Sequence, residues 1–348
     1  MNTDAPQRLA RLAVSPAAVV ENWRFFARLG PAEAAAVVKA DAYGLGAAAI
    51  APALAAAGCR TFFVATLGEA LTVRAALGPG PAIYILGGVQ AGERDAMIAA
   101  QLTPVLNSIE QIALWAEGGP FALHIDTGMN RLGVPFAARG AAAGLKPVLL
   151  MSHLACSPEP THPKNARQRL RFLEAAATFP GVRLSLAASA GALLGPAYAF
   201  DMIRPGIGLY GGGPLLADNP PLAPAARLEA PLLEVFDVPA GESVGYAASF
   251  IAERPVRVAT AALGYAAGVL WTLSGKGYGF VRGARCPFLG RVSMDLITLD
   301  VTDAPGARAG DWAEFLGPQV PLDEVAALAG APAYEVLTSF ARVRRIAA

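Results

Sequence analysis

From residue 34 to about residue 210 the chain repeats one rhythm. Short, largely apolar runs, many of them β-branched, alternate with alanine- and leucine-rich stretches of helical spacing. Each pair takes roughly 20 to 30 residues, as strand–helix units do. Eight runs stand out: "AAAVVK" (34–39), "TFFVAT" (61–66), "AIYILG" (82–87), "LTPVLN" (102–107), "FALHID" (121–126), "VLLMSHL" (148–154), "RLSLAAS" (183–189) and "MIRPGIG" (202–208). They are apolar throughout rather than alternating, which is the pattern of strands covered on both faces. Eight of them with helices between predict a closed (β/α)8 TIM-like barrel rather than an open Rossmann sheet. The helical stretches include 45–58, which ends on a glycine, and 164–179, spaced with leucine and phenylalanine.

The texture changes after "LYGGGPLLADNPPLAPAA" (209–226). The runs "RLEAPLLEVFDV", "RPVRVATAALG", "GYGFVRG", "ARCPFLGRVSMDLITLDV" and "DWAEFLG" read as short strands separated by turn residues, so a second, mainly β domain is expected. Ser15 and Pro16 read as an N-cap and first helical residue. The expected division is therefore a barrel over residues 15–215 and a β domain over 216–348, with residues 1–14 packing on the latter.

Composition narrows the function. Of 348 residues, 54% are hydrophobic and 16% charged, enough for a large core and against disorder. A net charge of +1, from 28 basic and 27 acidic residues, gives no field to draw in nucleic acid or an anionic membrane. A small neutral or zwitterionic partner fits better. The opening "MNTDAPQRLA" has no apolar signal core, and Cys59, Cys156 and Cys286 form neither a disulfide framework nor a zinc pattern. A cytoplasmic location is expected.

In such barrels the chemistry lies at the C-terminal ends of the strands. Lys39 closes the first run, Asp126 and Arg131 follow the fifth, His153 lies near the end of the sixth, Ser189 ends the seventh and Arg204 lies in the eighth. A lone strand-end lysine is by default a solvated side chain, but these residues converge on one mouth. Ser189 and "PGIG" (205–208) supply a hydroxyl and backbone N–H groups where barrels often hold phosphate. His124, His153 and His162 have no ligand spacing for zinc, so no metal is expected. An amine facing a phosphate cradle points to pyridoxal 5'-phosphate, whose aldehyde condenses with a lysine amine.

Six stretches resemble, in order, the bacterial alanine racemases: "VVKADAYG" (37–44), "DTGMNRLG" (126–133), "RPGIGLYG" (204–211), "LGYAAG" (263–268), "GRVSMD" (290–295) and "YEVLTSFARVRR" (334–345). The resemblance implies interconversion of L-alanine and D-alanine for peptidoglycan, by a cytoplasmic homodimer whose β domain completes its neighbour's active site. Lys39 resembles the cofactor lysine and one of two proton-transferring bases; Tyr265 resembles the other. Arg131 and the backbone of Met294 resemble the groups that hold the substrate carboxylate. Tyr43, Ser189, Gly206 and Ile207 resemble the phosphate contacts, Arg204 the partner of the pyridine nitrogen, and His153 the histidine beside the ring.

The residue chemistry suits these roles. Racemisation needs a base on each face of Cα, because one base working alone returns the starting enantiomer. Lysine and tyrosine both titrate near 10 when unperturbed, so positive neighbours are needed to lower them. A guanidinium keeps its proton and only donates a hydrogen bond to the pyridine nitrogen, which weakens the ring as an electron sink. Three positions depart from the family pattern: His124 replaces a lysine that is often carbamylated, Ala267 an acid, and Ala188 an asparagine. With His124 there, a different anion is expected to hold Arg131. The alternatives are a racemase of another small amino acid such as serine, a related barrel decarboxylase, which Arg204 disfavours, and a non-catalytic pyridoxal phosphate carrier, which the β domain disfavours.

Overall fold

The computed structural model describes residues 10–213 and 222–347, and the chain divides into two compact units, Pro16–Ala223 and a second made of Met1–Ser15 with Pro224–Ala348.

In the first unit, seven parallel strands run in spatial order Arg183–Ser185, Leu149–Met151, Ala122–Asp126, Thr103–Leu106, Ala82–Ile85, Thr61–Val64 and Ala36–Val37. The eighth, Met202–Ile203, pairs in parallel with Glu33–Ala34, and an isolated parallel bridge joins Ala188 to Arg204. That closes the circle of a (β/α)8 barrel. Phe62, Phe63, Val64, Ile83, Ile85, Val105, Leu123, Ile125 and Leu149 are buried, as fully covered strands require. The helix beginning at Pro16 ends at Ala27, and the stretches expected at 45–58 and 164–179 appear as Ala47–Ala56 and Pro163–Ala176.

All eight strands fall where the apolar runs lie, but most end earlier. Lys39 stands just past its strand, His153 two residues beyond Met151, and Ser189 opens the short helix Ser189–Ala192 instead of ending a strand. Arg204 is held by the single bridge rather than lying inside a strand. The reason is local: at the mouth the backbone leaves the ladder so that its polar side chains can turn inward.

In the second unit the strand Ala226–Val238 is the organiser. It pairs antiparallel with Val256–Ala261, Trp312–Leu316 and Arg11–Val14, and the last of these also pairs in parallel with Arg344–Ala347. Ile297–Asp300 extends one edge, and the hairpin Tyr278–Val281 with Ala284–Pro287 extends the other. The long apolar run at 284–301 is thus two strands, broken where Gly290, at φ 69°, starts an irregular loop. The helices Leu322–Ala329 and Ala333–Ser339 complete the unit.

Candidate functional site

The first strand ends in an unusual way. Ala40, Asp41, Ala42 and Tyr43 have φ of 53°, 54°, 54° and 56°, a left-handed helical turn directly behind Lys39, before Gly44 at φ 87°. Side-chain-bearing residues adopt this conformation at about 1–2 kcal/mol each. The turn is held from several directions. Ala42 N–H donates to Val38 O (2.9 Å), Gly44 N–H to Ala40 O (2.7 Å), and Asp41 Oδ1 accepts from Ala47 N–H (2.7 Å). The Tyr43 ring packs on Tyr210 with centroids 4.7 Å apart, and the Tyr210 hydroxyl donates to Val37 O (2.9 Å).

Beside this turn, where Val37 N–H donates to Pro205 O (3.0 Å), Gly206 N–H and Gly208 N–H both donate to Ser189 Oγ, at 2.9 and 3.1 Å. A side chain on Gly206 would collide with the Tyr43 hydroxyl, and one on Gly208 with the Phe26 ring. Ile207, between them, is buried and starts the 3-10 turn Ile207–Tyr210. Two backbone amides and two hydroxyls therefore meet where only glycine fits, which is the donor set a phosphate group takes. The residues fit the phosphorylated aldehyde expected from the sequence.

Arg204 is 3% exposed, yet among the described residues it has no carboxylate partner. It donates to Ser185 Oγ (2.5 Å), Ser152 O (2.7 Å) and His153 Nδ1 (3.4 Å). Since a guanidinium only donates, Nδ1 of His153 accepts and the ring proton sits on Nε2. Burial lowers Arg204 to about 10, and burial together with Arg204, Arg131, His124 and Lys39 drives His153 down to about 3, so this imidazole is neutral. Lys39 is lowered from its usual value by burial and by Arg131, with Glu69 opposing. A cation-rich, partly dry mouth suits a phosphate and a carboxylate arriving together.

Asp126 Oδ1 accepts from Gly128 and Met129 N–H, both at 2.8 Å, and so shapes the loop carrying Arg131. Arg131 itself is exposed and makes no hydrogen bond or ion pair to another described residue. His124 is buried with Nδ1 2.9 Å from Asn107 Oδ1. The Asn107 amide nitrogen donates to Leu86 O and Val105 O, which fixes Oδ1 as the acceptor and puts the histidine proton on Nδ1. Burial, then Arg204, lowers His124 to about 4. A neutral imidazole therefore stands where the family pattern has a lysine that is often carbamylated.

In the β unit, Tyr265 opens a 3-10 turn, Tyr265–Ala267, and is 44% exposed. Its N–H donates to Ser293 O (3.0 Å) and Ala266 N–H to Met294 O (2.9 Å), while Gly264 lies too close to the Ser293 and Met294 carbonyls to carry a side chain. The turn thus brings Tyr265 beside Met294, which is 55% exposed and whose own N–H has no partner among the described residues.

Three features escaped the sequence reading: the left-handed turn, Asn107 behind His124, and Glu69 behind Lys39. Asn107 was the most accessible, being a polar residue at the end of the fourth apolar run.

A parallel barrel with an amine at its first strand end and an anion cradle beside it, joined in one chain to a β unit displaying a phenol, defines a class of barrel enzymes that work on small anionic substrates. The comparisons narrow the class. Residues 14–214 match the alanine racemase N-terminal domain and residues 225–347 the alanine racemase C-terminal domain. The chain belongs to the alanine racemase family. It is 47% identical to the alanine racemase of Acidiphilium cryptum, over 96% of this chain and 98% of that one, and 44% identical to the biosynthetic alanine racemase of Agrobacterium fabrum, over 97% and 93%. Its fold superposes with a TM-score of 0.92 on the alanine racemase from Bartonella henselae with covalently bound pyridoxal phosphate, at 36% identity over 98% of this chain and 99% of that one. The biosynthetic alanine racemase from Pseudomonas aeruginosa gives the same score at 38% identity, over 98% and 100%.

Proposed function

We propose that the protein interconverts L-alanine and D-alanine with pyridoxal 5'-phosphate as cofactor, and so supplies D-alanine for peptidoglycan. The observation that carries this reading is the mouth of the barrel, where a lysine with a lowered pKa stands at the end of the strand next to a glycine-lined cradle, and a buried arginine has no carboxylate partner among the described residues.

When bound, pyridoxal phosphate supplies an aldehyde that condenses with amines and a ring that draws electrons from the substrate Cα. The chain's own residues do the rest. Ser189, Tyr43, Gly206 and Ile207 would hold the phosphate, and Arg204, steadied by Ser152, Ser185 and His153, would donate to the ring nitrogen. Arg131 and the Met294 N–H take the substrate carboxylate. Neither Arg131 nor that N–H is engaged by another described residue, which leaves both available to it.

Proton movement is assigned to two groups. The Lys39 amine takes or returns the Cα proton on one face, and Tyr265 of the partner subunit does so on the other. The reading includes a homodimer, in which residues 15–215 are the cofactor-holding barrel and residues 216–348 the domain that reaches the neighbour's site. Two exposed side chains on the Tyr265 turn and its companion loop support the idea that this surface meets another chain. No helix among the described residues is long and apolar enough to cross a membrane, and the proposed location is the cytoplasm.

The test is optical. L-alanine with the holoenzyme should lose its rotation completely, and Tyr265→Phe should slow the loss severely. A carrier protein would show cofactor absorbance and no turnover from either. A serine racemase would act faster on L-serine than on L-alanine.

A further inference from the structure

Strand pairing at the mouth stops at Lys39, and the way it stops singles out one carboxylate. Ala36–Val37 pairs in parallel with Phe62 and Phe63, and the last rung is Val38 N–H donating to Phe63 O at 2.9 Å. Continued pairing would next send Ala65 N–H to Val38 O and Ala40 N–H onward to the neighbouring strand. Neither happens, because the left-handed turn diverts the backbone and Val38 O accepts from Ala42 N–H instead. Both stranded amides go to Glu69: Oε1 accepts from Ala40 N–H at 2.9 Å and Oε2 from Ala65 N–H at 2.7 Å.

We propose that Glu69 is a positioning residue for Lys39: its carboxylate replaces the rungs abandoned at the strand end and thereby fixes where the amine stands in the barrel mouth. Helix capping alone does not account for this arrangement. Glu69 is the third residue of the helix Leu67–Leu77, whose cap Thr66 accepts from Glu69 N–H at 3.3 Å. An acid at that position ordinarily returns to the N–H of the cap residue. Here it reaches one residue further back, to Ala65, and across to Ala40, 29 positions away, which the helix does not need. Hydrogen bonds to a carboxylate are the stronger kind, suited to holding a turn that four side-chain-bearing residues resist. The same charge opposes burial and Arg131 in setting the proton affinity of the Lys39 amine.

The inference rests on the racemase reading, and its test separates the two. Glu69→Gln keeps length and helix but loses the charge and one acceptor. Glu69→Asp keeps the charge but is too short to span both amides, and serves if the first variant does not fold. In the cofactor-loaded protein, hydrogen exchange of the Ala40 amide should quicken by at least about tenfold, and kcat for alanine should fall about 10- to 100-fold with KM changed less than about twofold. Thr66→Ala, which weakens the helix start and leaves the clamp, should change kcat by less than about twofold. A folded Glu69 variant with unchanged exchange, or with wild-type kcat, overturns the proposal, as does an equal loss in Thr66→Ala. Wild-type protein that fails to racemise alanine would end the functional reading instead, while the exchange of Ala40 would still report on the clamp.

Discussion

The two residues assigned to proton transfer are held in opposite ways. Lys39 sits at the break of a parallel ladder, backed by a left-handed turn that Asp41, Glu69, Tyr43 and Tyr210 all secure. Tyr265 stands on a short 3-10 turn tied to the next loop by backbone bonds, with its side chain 44% exposed. One group is fully organised by its own unit; the other is presented outward. The difference teaches that the amine's position is an internal property of the barrel, whereas the phenol's, under the proposed dimer, would depend on the surface it meets.

The most severe way to break this contrast is Lys39→Ala. It should abolish both racemisation, by at least about 10⁴-fold, and covalent attachment of the cofactor, read by borohydride reduction and mass spectrometry. Tyr265→Phe should lower the rate by about 10²- to 10⁴-fold and leave the cofactor attached, because it touches only the presented group.

A pH series sharpens the contrast further. All three histidines, His124, His153 and His162, lie in the barrel unit. Folding holds His124 near about 4 and His153 near about 3, both below the ordinary 6.5. Between about pH 6.5 and those values the unfolded chain binds protons that the folded barrel refuses. Their contribution to stability is whole above about pH 6.5 and is lost as the pH falls, at up to about 1.4 kcal/mol per pH unit for each imidazole. Hydrogen exchange between pH 7 and 4.5 should therefore loosen barrel amides before those of the β unit.

The smallest effect concerns the β unit alone. Ala247, at φ 59° and ψ 19°, bears a left-handed backbone and, among the described residues, has none of the side-chain clamps that surround Lys39. Ala247→Gly should stabilise the protein by about 0.5–1 kcal/mol in denaturant unfolding, since relief of the left-handed conformation exceeds the entropy glycine adds to the unfolded chain.

Much of this was legible in the chain. The eight apolar runs marked the barrel strands because both faces of each are buried, and a lysine at the end of such a run is conspicuous by its chemistry. The mouth was less legible. In "KADAY" Lys39, Ala40 and Ala42 favour ordinary right-handed helix, and a single aspartate does not announce a left-handed turn of four residues, whose support comes from Glu69, Ala47 and Tyr210. Glu69 looks like a routine acid in a helix's first turn, and its second bond exists only once two strands are neighbours. His124 was legible as a departure from the family, but its neutrality depends on burial and on the amide of Asn107, 17 residues away.

The account's central claim is that a barrel amine and a phenol from a second chain share one site. The direct measurement mixes Lys39→Ala and Tyr265→Phe homodimers, each inactive alone, under conditions that exchange subunits. Half of the dimers become mixed, and each of those carries one intact pair, so racemase activity should return to about a quarter of the wild-type value. Activity that stays at the level of the separate variants after verified exchange would contradict the shared site.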